Sequence, residues 1–539
     1  MKDPMLPRPN LNRRGFLKML GAVGGTSLVM GAMDAWGMGL ASAQDAPPEL
    51  SGNGDGKRVI ILGAGLAGMT AAYELSKLGY DTPIIEARDF AGGRCQTARR
   101  GFTLTEITGE TQRCMFDEGQ FLNHGPWRIP YHHRSTLHYT KEFNVPLMIM
   151  VNENDAAWVM YENIEGPLAG RRIRQKEVKA DMRGYTAELL AKAVDQGQLE
   201  LELSEEDKER LVAYLVHEGY LSSEDMAYRG TTGRGYREDP GAGMNPGVPS
   251  DPHDFSALLT SRMGHIFRSV NSYTQQSTMF EPVGGMDQIA KGFERAVGRM
   301  IHYGQEVKEI RQNGEGVTVA VEDKRTGETR EIEGDYCICT IPLSVLQQIP
   351  ADFSGEFQQA MRQVSYTPTG KVGLQFARRF WEEDDFIYGG HTITDFVGNI
   401  TYPSYGWQGQ KGVVQGYYRS GQVSIEVSAM SPQERIQYAL EQGAKVHGDA
   451  YMEEFENGFS AFWHLIEYNL GGWASWSGDA RREAYPILNE PDGRIYLAGE
   501  HLSYLTGWMA GAIESAWIQL ERLHERAAQE TNARERATS

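Results

Sequence analysis

The feature that most constrains this chain is Lys57-Arg58-Val59-Ile60-Ile61-Leu62, followed at once by Gly63-Ala64-Gly65-Leu66-Ala67-Gly68. A short apolar run that ends in glycines reads as a parallel strand buried on both faces. A helical pattern runs from Met69 to Leu78 and closes on Gly79 as its C-cap. Thr82-Pro83-Ile84-Ile85 then reads as a second strand that stops at Glu86. In this setting each glycine has a mechanical role. Gly63 permits the tight turn, Gly65 lets backbone approach a pyrophosphate, and Gly68 lets helix and strand pack closely. The helix start offers unpaired N–H groups and a positive dipole to the phosphates, and Glu86, 18 residues past Gly68, is placed to accept ribose hydroxyls. The unit predicts an α/β domain that binds a dinucleotide.

A chain of 539 residues leaves room for roughly three or four domains. With 40% hydrophobic and 23% charged residues it is globular rather than disordered. A net charge of −19 argues against nucleic acid as a main partner, because phosphate backbones need a basic face. Four cysteines are too few for a disulfide framework. Residues 1–43 read as an export signal: Asn12-Arg13-Arg14-Gly15-Phe16-Leu17-Lys18, an apolar stretch to about Leu40, then Ala41-Ser42-Ala43 as a cleavage pattern. The paired arginines resemble the twin-arginine type. Its glycines and Asp34 make the segment a poor membrane span. The expected mature protein is periplasmic or secreted, with the twin-arginine machinery as an export partner.

Residues 44–56 form a linker. Further on, Ser204-Glu205-Glu206-Asp207 resembles a capping box ahead of an apolar face from Leu211 to Val216. Between Arg229 and Pro252, six glycines and four prolines predict a long surface loop, read as a lid over a substrate channel. Strands return at Val317–Val321, Tyr336–Cys339 and Ile495–Glu500, and an amphipathic helix follows from about Ala510 to Arg526. Cys337 and Cys339, two apart on a strand, are read as facing unrelated surroundings, so neither a zinc site nor a redox pair is indicated, and no metal is expected.

Further elements identify a family resemblance. Gly92-Gly93-Arg94, six residues past Glu86, resembles the diphosphate-contacting element of flavin amine oxidases. Leu497-Ala498-Gly499-Glu500 resembles that family's second flavin contact. Gly304-Gln305-Glu306-Val307, with Val307 towards the adenine, and Cys339-Thr340-Ile341-Pro342 fall in matching order. Within the superfamily the chain most resembles L-amino-acid oxidases, including the snake-venom type, from about residue 57 to 525. The resemblance implies FAD, held through Gly63, Ala64, Gly65, Leu66, Ala67, Gly68, Glu86, Ala87, Arg88, Gly93, Arg94, the segment Gly125-Pro126-Trp127-Arg128, Val307, Gly499, Glu500, Gly507 and Trp508. No cysteine accompanies Trp508, where monoamine oxidases attach their flavin, so the cofactor is expected to be non-covalent.

The same resemblance assigns the chemistry. Arg128 matches the arginine that grips the substrate α-carboxylate, a role suited to a planar cation that makes bidentate pairs. Tyr417 aligns with the tyrosine sharing that carboxylate, with adjacent Tyr418 leaving a one-residue ambiguity. Lys371, just before Phe380-Trp381-Glu382-Glu383-Asp384-Asp385, matches a lysine hydrogen-bonded to water near flavin N5. Trp463 and Trp508 are expected to flank the substrate, and Gly507 to offer its carbonyl to the amine. These imply oxidative deamination of L-amino acids to 2-oxo acids, ammonia and hydrogen peroxide, with a leaning towards apolar and aromatic substrates. The rivals are oxidative decarboxylation of the tryptophan 2-monooxygenase kind and polyamine or monoamine oxidation.

The expected fold is mixed α/β: a Rossmann-like FAD-binding domain from 57–94, 279–363 and 486–530, an interleaved β-rich substrate domain from 95–175 and 364–485, a helical insertion at 176–278 and a tail at 531–539. The resemblance also allows a homodimer.

Overall fold

The computed structural model describes residues 45–199, 202–266 and 272–538; the export pattern at 1–43 lies outside them. Its first layer is a five-stranded parallel sheet in the order Ile301–His302, Ile84–Ile85, Val59–Leu62, Tyr336–Cys339, Ile495–Leu497. All four residues of Val59–Leu62 are buried, as expected of a central parallel strand. Pro83 shortens its neighbour: the strand predicted from Thr82 spans only Ile84–Ile85, and the Pro83 carbonyl accepts from Ile61 N–H at 2.9 Å. The helix Leu66–Lys77 starts three residues earlier than its periodicity suggested, because Gly65 caps it directly. Cys337 and Cys339 share one buried apolar cluster. This corrects the reading of unrelated surroundings, since a period of two puts both on the same face.

The C-terminal helix Met509–Thr538 packs Ile513, Trp517, Leu520 and Leu523 into the cluster that holds Ala71, Ala72 and Leu75. It continues through most of the expected tail at 531–539. The second layer is a seven-stranded sheet ordered Phe455–Phe462, Thr369–Phe376, Gly412–Ser420, Asn399–Thr401, His391–Thr394, Trp158–Met160, Ile173–Arg174. Every position of Thr369–Phe376 is buried, so what this strand carries is held on a rigid element. Its strands fall in 95–175 and 364–485, while those of the parallel sheet fall in the three segments 57–94, 279–363 and 486–530. A ribbon pairing Leu147–Val151 with Thr278–Pro282 joins the two parts.

Between them, Gln175–Asp195 and Glu205–Glu218 form a helical pair. Ser204 caps the second helix by accepting from Asp207 N–H at 3.1 Å, although only Leu215 of the predicted apolar face is fully buried. Among the described residues, no helix is long and apolar enough to cross a membrane.

Candidate active site

A cavity of about 910 Å³ runs from the glycine turn of the parallel sheet to one face of the seven-stranded sheet. At the first end Gly63 adopts φ +99°, and space beside the Gly65 Cα is open. A Cβ on Gly68 would collide with the Gly63 carbonyl. The turn, the open approach and the close packing therefore fall on the three glycines in that order. The following helix has neither a side-chain cap nor an acidic residue in its first turn, which leaves its N–H groups and dipole to an anion.

Glu86 lines this end, but its carboxylate also braces the loop. Oε2 accepts from Ala64 N–H at 2.8 Å and Oε1 from Arg88 N–H at 2.9 Å. Leu66, Ala67, Ala87, Arg88, Gly93 and Val307 line the cavity as well. Ala64 and Gly68 do not; they shape the loop from behind. Gly93, at φ +57°, packs against Gly65, where a Cβ would sit 3.2 Å from its Cα.

Arg94 joins the two layers. Its Nη1 donates to Glu500 Oε1 and to the Gly472 carbonyl, both at 2.8 Å. Glu500 accepts further from Ala474 N–H at 3.2 Å and Gly507 N–H at 3.0 Å. It lines the cavity, as Gly499 does, but both its oxygens are engaged by protein donors. An open glycine cradle, an uncapped helix start and a cavity continuing to Val307 fit a flavin dinucleotide.

The other end is built on Asn123-His124-Gly125. Lys371 Nζ donates to the Asn123 carbonyl at 3.1 Å and the Gly125 carbonyl at 2.7 Å. Trp463 Nε1 donates to the His124 carbonyl between them at 2.8 Å, and its ring stacks on His124 at 5.5 Å. Gly125 is required because a Cβ there would strike the Arg94 carbonyl. Gly125, Pro126, Trp127, Arg128, Lys371, Trp463, Gly507 and Trp508 all line the cavity. Burial, reinforced by nearby Arg128, holds the Lys371 pKa well below the usual lysine range.

Arg128 donates to Gln275 Oε1 at 3.0 Å and lies 5.8 Å from the Trp508 ring centroid, while its Nε has no partner among the described residues. No carboxylate pairs with it among them either. Burial lowers its pKa and Tyr418 opposes the shift. A guanidinium withdrawn from water without a counter-ion is costly; this one is half-buried and faces the cavity, so it is poised for an anionic ligand.

Several expectations need correction. Tyr417 does not line the cavity: it is fully buried in an apolar cluster with Phe462 and Val427, and its hydroxyl donates to the Val423 carbonyl at 3.5 Å. Tyr418, directly opposite Lys371 in the sheet, lines the cavity instead. No residue from 229 to 252 lines it, so that loop is not a lid over this site in the structure. The loop is anchored by buried Arg234, which donates to Asp181 and to the Ser250 carbonyl at 2.9 Å. Sequence reasoning also missed His391, Asn399, Thr401, Gln415 and Trp473, all of which line the cavity. A bulge with Gly416 unpaired between Tyr417 and Gln415 turns both Tyr418 and Gln415 inward, which plain alternation conceals.

The sequence profile of the family described as flavin containing amine oxidoreductase matches residues 66–521. A Bacillus subtilis (strain 168) protein named "Putative L-amino-acid oxidase YobN" is 29% identical over 478 residues, covering 86% of this chain and 94% of the relative. The L-amino-acid oxidase of Pseudechis australis is 26% identical over 488 residues, covering 85% of each chain. Among solved structures, cyclohexylamine oxidase from Brevibacterium oxydans IH-35A superposes with a TM-score of 0.56 at 17% identity, over 88% of this chain and 99% of its own.

Proposed function

The chain belongs to the flavin-containing amine oxidoreductase family, and from that premise we propose that it is an FAD-dependent L-amino-acid oxidase. The observation that carries this reading is Arg128, a half-buried cavity-lining cation with no carboxylate partner among the described residues. A simple amine gives such a group nothing to bind, whereas an α-carboxylate matches its fork. The relatives named as L-amino-acid oxidases support the same substrate class.

In this reading Arg128 and the Tyr418 hydroxyl bind the α-carboxylate and fix the direction of the Cα–H bond. Trp508 and Trp463 close the site against water, and the Gly507 carbonyl accepts from the substrate amine. Lys371 uses two of its hydrogen-bonding positions on backbone carbonyls. Its depressed pKa favours a neutral amine that can still hold a water. A bound flavin would supply the two-electron acceptor for the Cα hydride, with dioxygen as the final acceptor and hydrogen peroxide as its product. The released imino acid hydrolyses to a 2-oxo acid and ammonia. FAD is held without a covalent bond: of the four cysteines only Cys95 lines the cavity, and its thiol is packed against the Met286 carbonyl and Met509 Sδ. The twin-arginine pattern at residues 12–18 supports export of the loaded protein.

The test is an anaerobic titration of wild type and Arg128→Ala with L-amino acids and the amines formed by their decarboxylation, followed by flavin absorbance. Wild type should bleach with the acids. Arg128→Ala should lose about 10²–10⁴-fold in acid-driven reduction, the scale of removing one partner from a buried charged pair. Equal bleaching by the amines, or no loss in Arg128→Ala, would move the protein to amine oxidation.

A further inference from the structure

Resting on the oxidase reading above, we propose that the substrate side chain is received by a neutral hydrogen-bonding row, His391, Thr401 and Gln415, that selects carboxamide side chains, glutamine before others. The sheet register builds the row. His391 pairs with Thr401 and Thr401 pairs with Gln415, so the three sit side by side across adjacent strands. All three line the cavity, as does Asn399, two residues before Thr401 on the same face of its strand. The next strand presents Gly373 opposite Gln415, followed by the Lys371–Tyr418 pair. The row is therefore one step from the groups assigned to the carboxylate and the flavin.

Two observations point to a ligand. Gln415 is 2% exposed, and its Nε2 donates to Thr401 Oγ1 at 3.1 Å. Its Oε1 is buried with no partner among the described residues, and a buried amide left half-satisfied is costly. If the amide is assigned the other way round, the free end becomes an NH₂ donor, and a carboxamide can complement either. The second observation is the placement of charge. The carboxylates lining the cavity, Glu86, Glu306, Glu467 and Glu500, belong to the nucleotide end. Among the described residues, a lysine or arginine side chain would find no cavity-lining carboxylate beside the row. An anionic one would face an imidazole that burial, with Arg128 and Lys179 close by, pushes down to about 4 and so keeps neutral, and the Lys179 ammonium is already paired with Asp155 and Glu153. Apolar side chains fit by size but leave the Gln415 amide unmatched, contrary to the leaning that the tryptophans suggested.

The test compares kcat/KM for L-glutamine, its near-isostere L-methionine, L-leucine, L-phenylalanine, L-glutamate and L-lysine on the flavin-loaded enzyme. It is run on wild type, Gln415→Met and Thr401→Val, so that one variant suffices if the other does not fold. Binding is read separately from the flavin absorbance change with glutaramate and 4-(methylsulfanyl)butanoate, which lack the reacting amine. Glutamine should exceed methionine by about 10-fold or more, since a site built to hydrogen-bond a substrate discriminates against analogues that cannot. Glutaramate should bind more tightly in the same order, and both variants should shrink both ratios. A preference for methionine, leucine, phenylalanine or either charged substrate, or ratios untouched in a folded variant, overturns the subsite alone. Reduction of the flavin by no L-amino acid overturns the oxidase reading and the subsite with it.

Discussion

The two ends of the cavity treat their polar groups in opposite ways. At the nucleotide end, polar groups already have protein partners: Glu86 braces the glycine loop through two N–H groups, Arg94 is paired with Glu500, which accepts two further N–H bonds, and Arg88 donates to the Glu467 carbonyl and the Asn469 amide oxygen. At the sheet end, Lys371 and Arg128 share a buried region without an acid partner among the described residues, and a Gln415 oxygen is left over. The first end is a finished framework that a cofactor meets with backbone groups and shape. The second keeps its interactions unfinished, as expected where a ligand must complete them. Strain at a binding site is thus supported by a satisfied neighbour.

The contrast is broken most strongly at the framework. Glu500→Ala would leave the half-buried Arg94 without its carboxylate and strip an acceptor from Ala474 and Gly507. Loss of one partner from a buried pair costs about 3–5 kcal/mol, so chemical denaturation of the flavin-loaded protein should show a loss of that order, with flavin released early in the transition. A loss below about 1 kcal/mol would mean that the pair is not holding the layers together.

Lys371 provides the opposite case, because burial without an acid partner works against its charged form. Its folded pKa lies below the unfolded value of 10.5, so across that window the unfolded chain binds more protons and this group's contribution to stability rises with pH. The stability of wild type relative to Lys371→Met should therefore increase between pH 7 and pH 10. The lost bonds to the Asn123 and Gly125 carbonyls add a pH-independent offset. Paired thermal melts at the two pH values measure the slope, and a flat or falling difference would show that the lysine is solvated in solution.

How far the sequence reached follows the same division. The framework is local: three glycines, a strand, a helix and Glu86 are contiguous, and the chain's short-range rules place them. The Gly92-Gly93-Arg94 and Gly499-Glu500 elements were legible through family resemblance, although the Arg94–Glu500 pair that joins them, 406 residues apart, was not. The sheet end is non-local. Its row takes one residue from each of three strands, and the bulge at Gly416 defeats the alternation that would otherwise have indicated which side chains face inward. The loop at 229–252 was misjudged because composition reports a turn-rich segment but not its anchor, the Arg234–Asp181 pair.

The smallest effect is also the sharpest test of that bulge. Tyr417 and Tyr418 are neighbours with the same functional group, and only their facing separates them. Tyr418 stands opposite Lys371, with the Nζ 4.9 Å from its ring centroid, and lines the cavity. Tyr417 packs on Phe462 at 5.8 Å and Tyr438 at 6.2 Å, outside it. Removing a hydroxyl that binds a charged ligand costs about 1.5–3 kcal/mol, so Tyr418→Phe should raise KM for L-amino acids by roughly 10–100-fold, as that energy converts. Tyr417→Phe removes a hydroxyl that reaches the Val423 carbonyl at 3.5 Å and neighbours the Ser424 side chain, so it should leave KM within about 2-fold and shift stability by at most about 1 kcal/mol, as for an ordinary hydrogen bond. Steady-state kinetics and melting curves on the two variants give four numbers. A KM effect that followed Tyr417 would mean that this stretch alternates without the bulge, with Tyr417 rather than Tyr418 on the face that Gln415 shares.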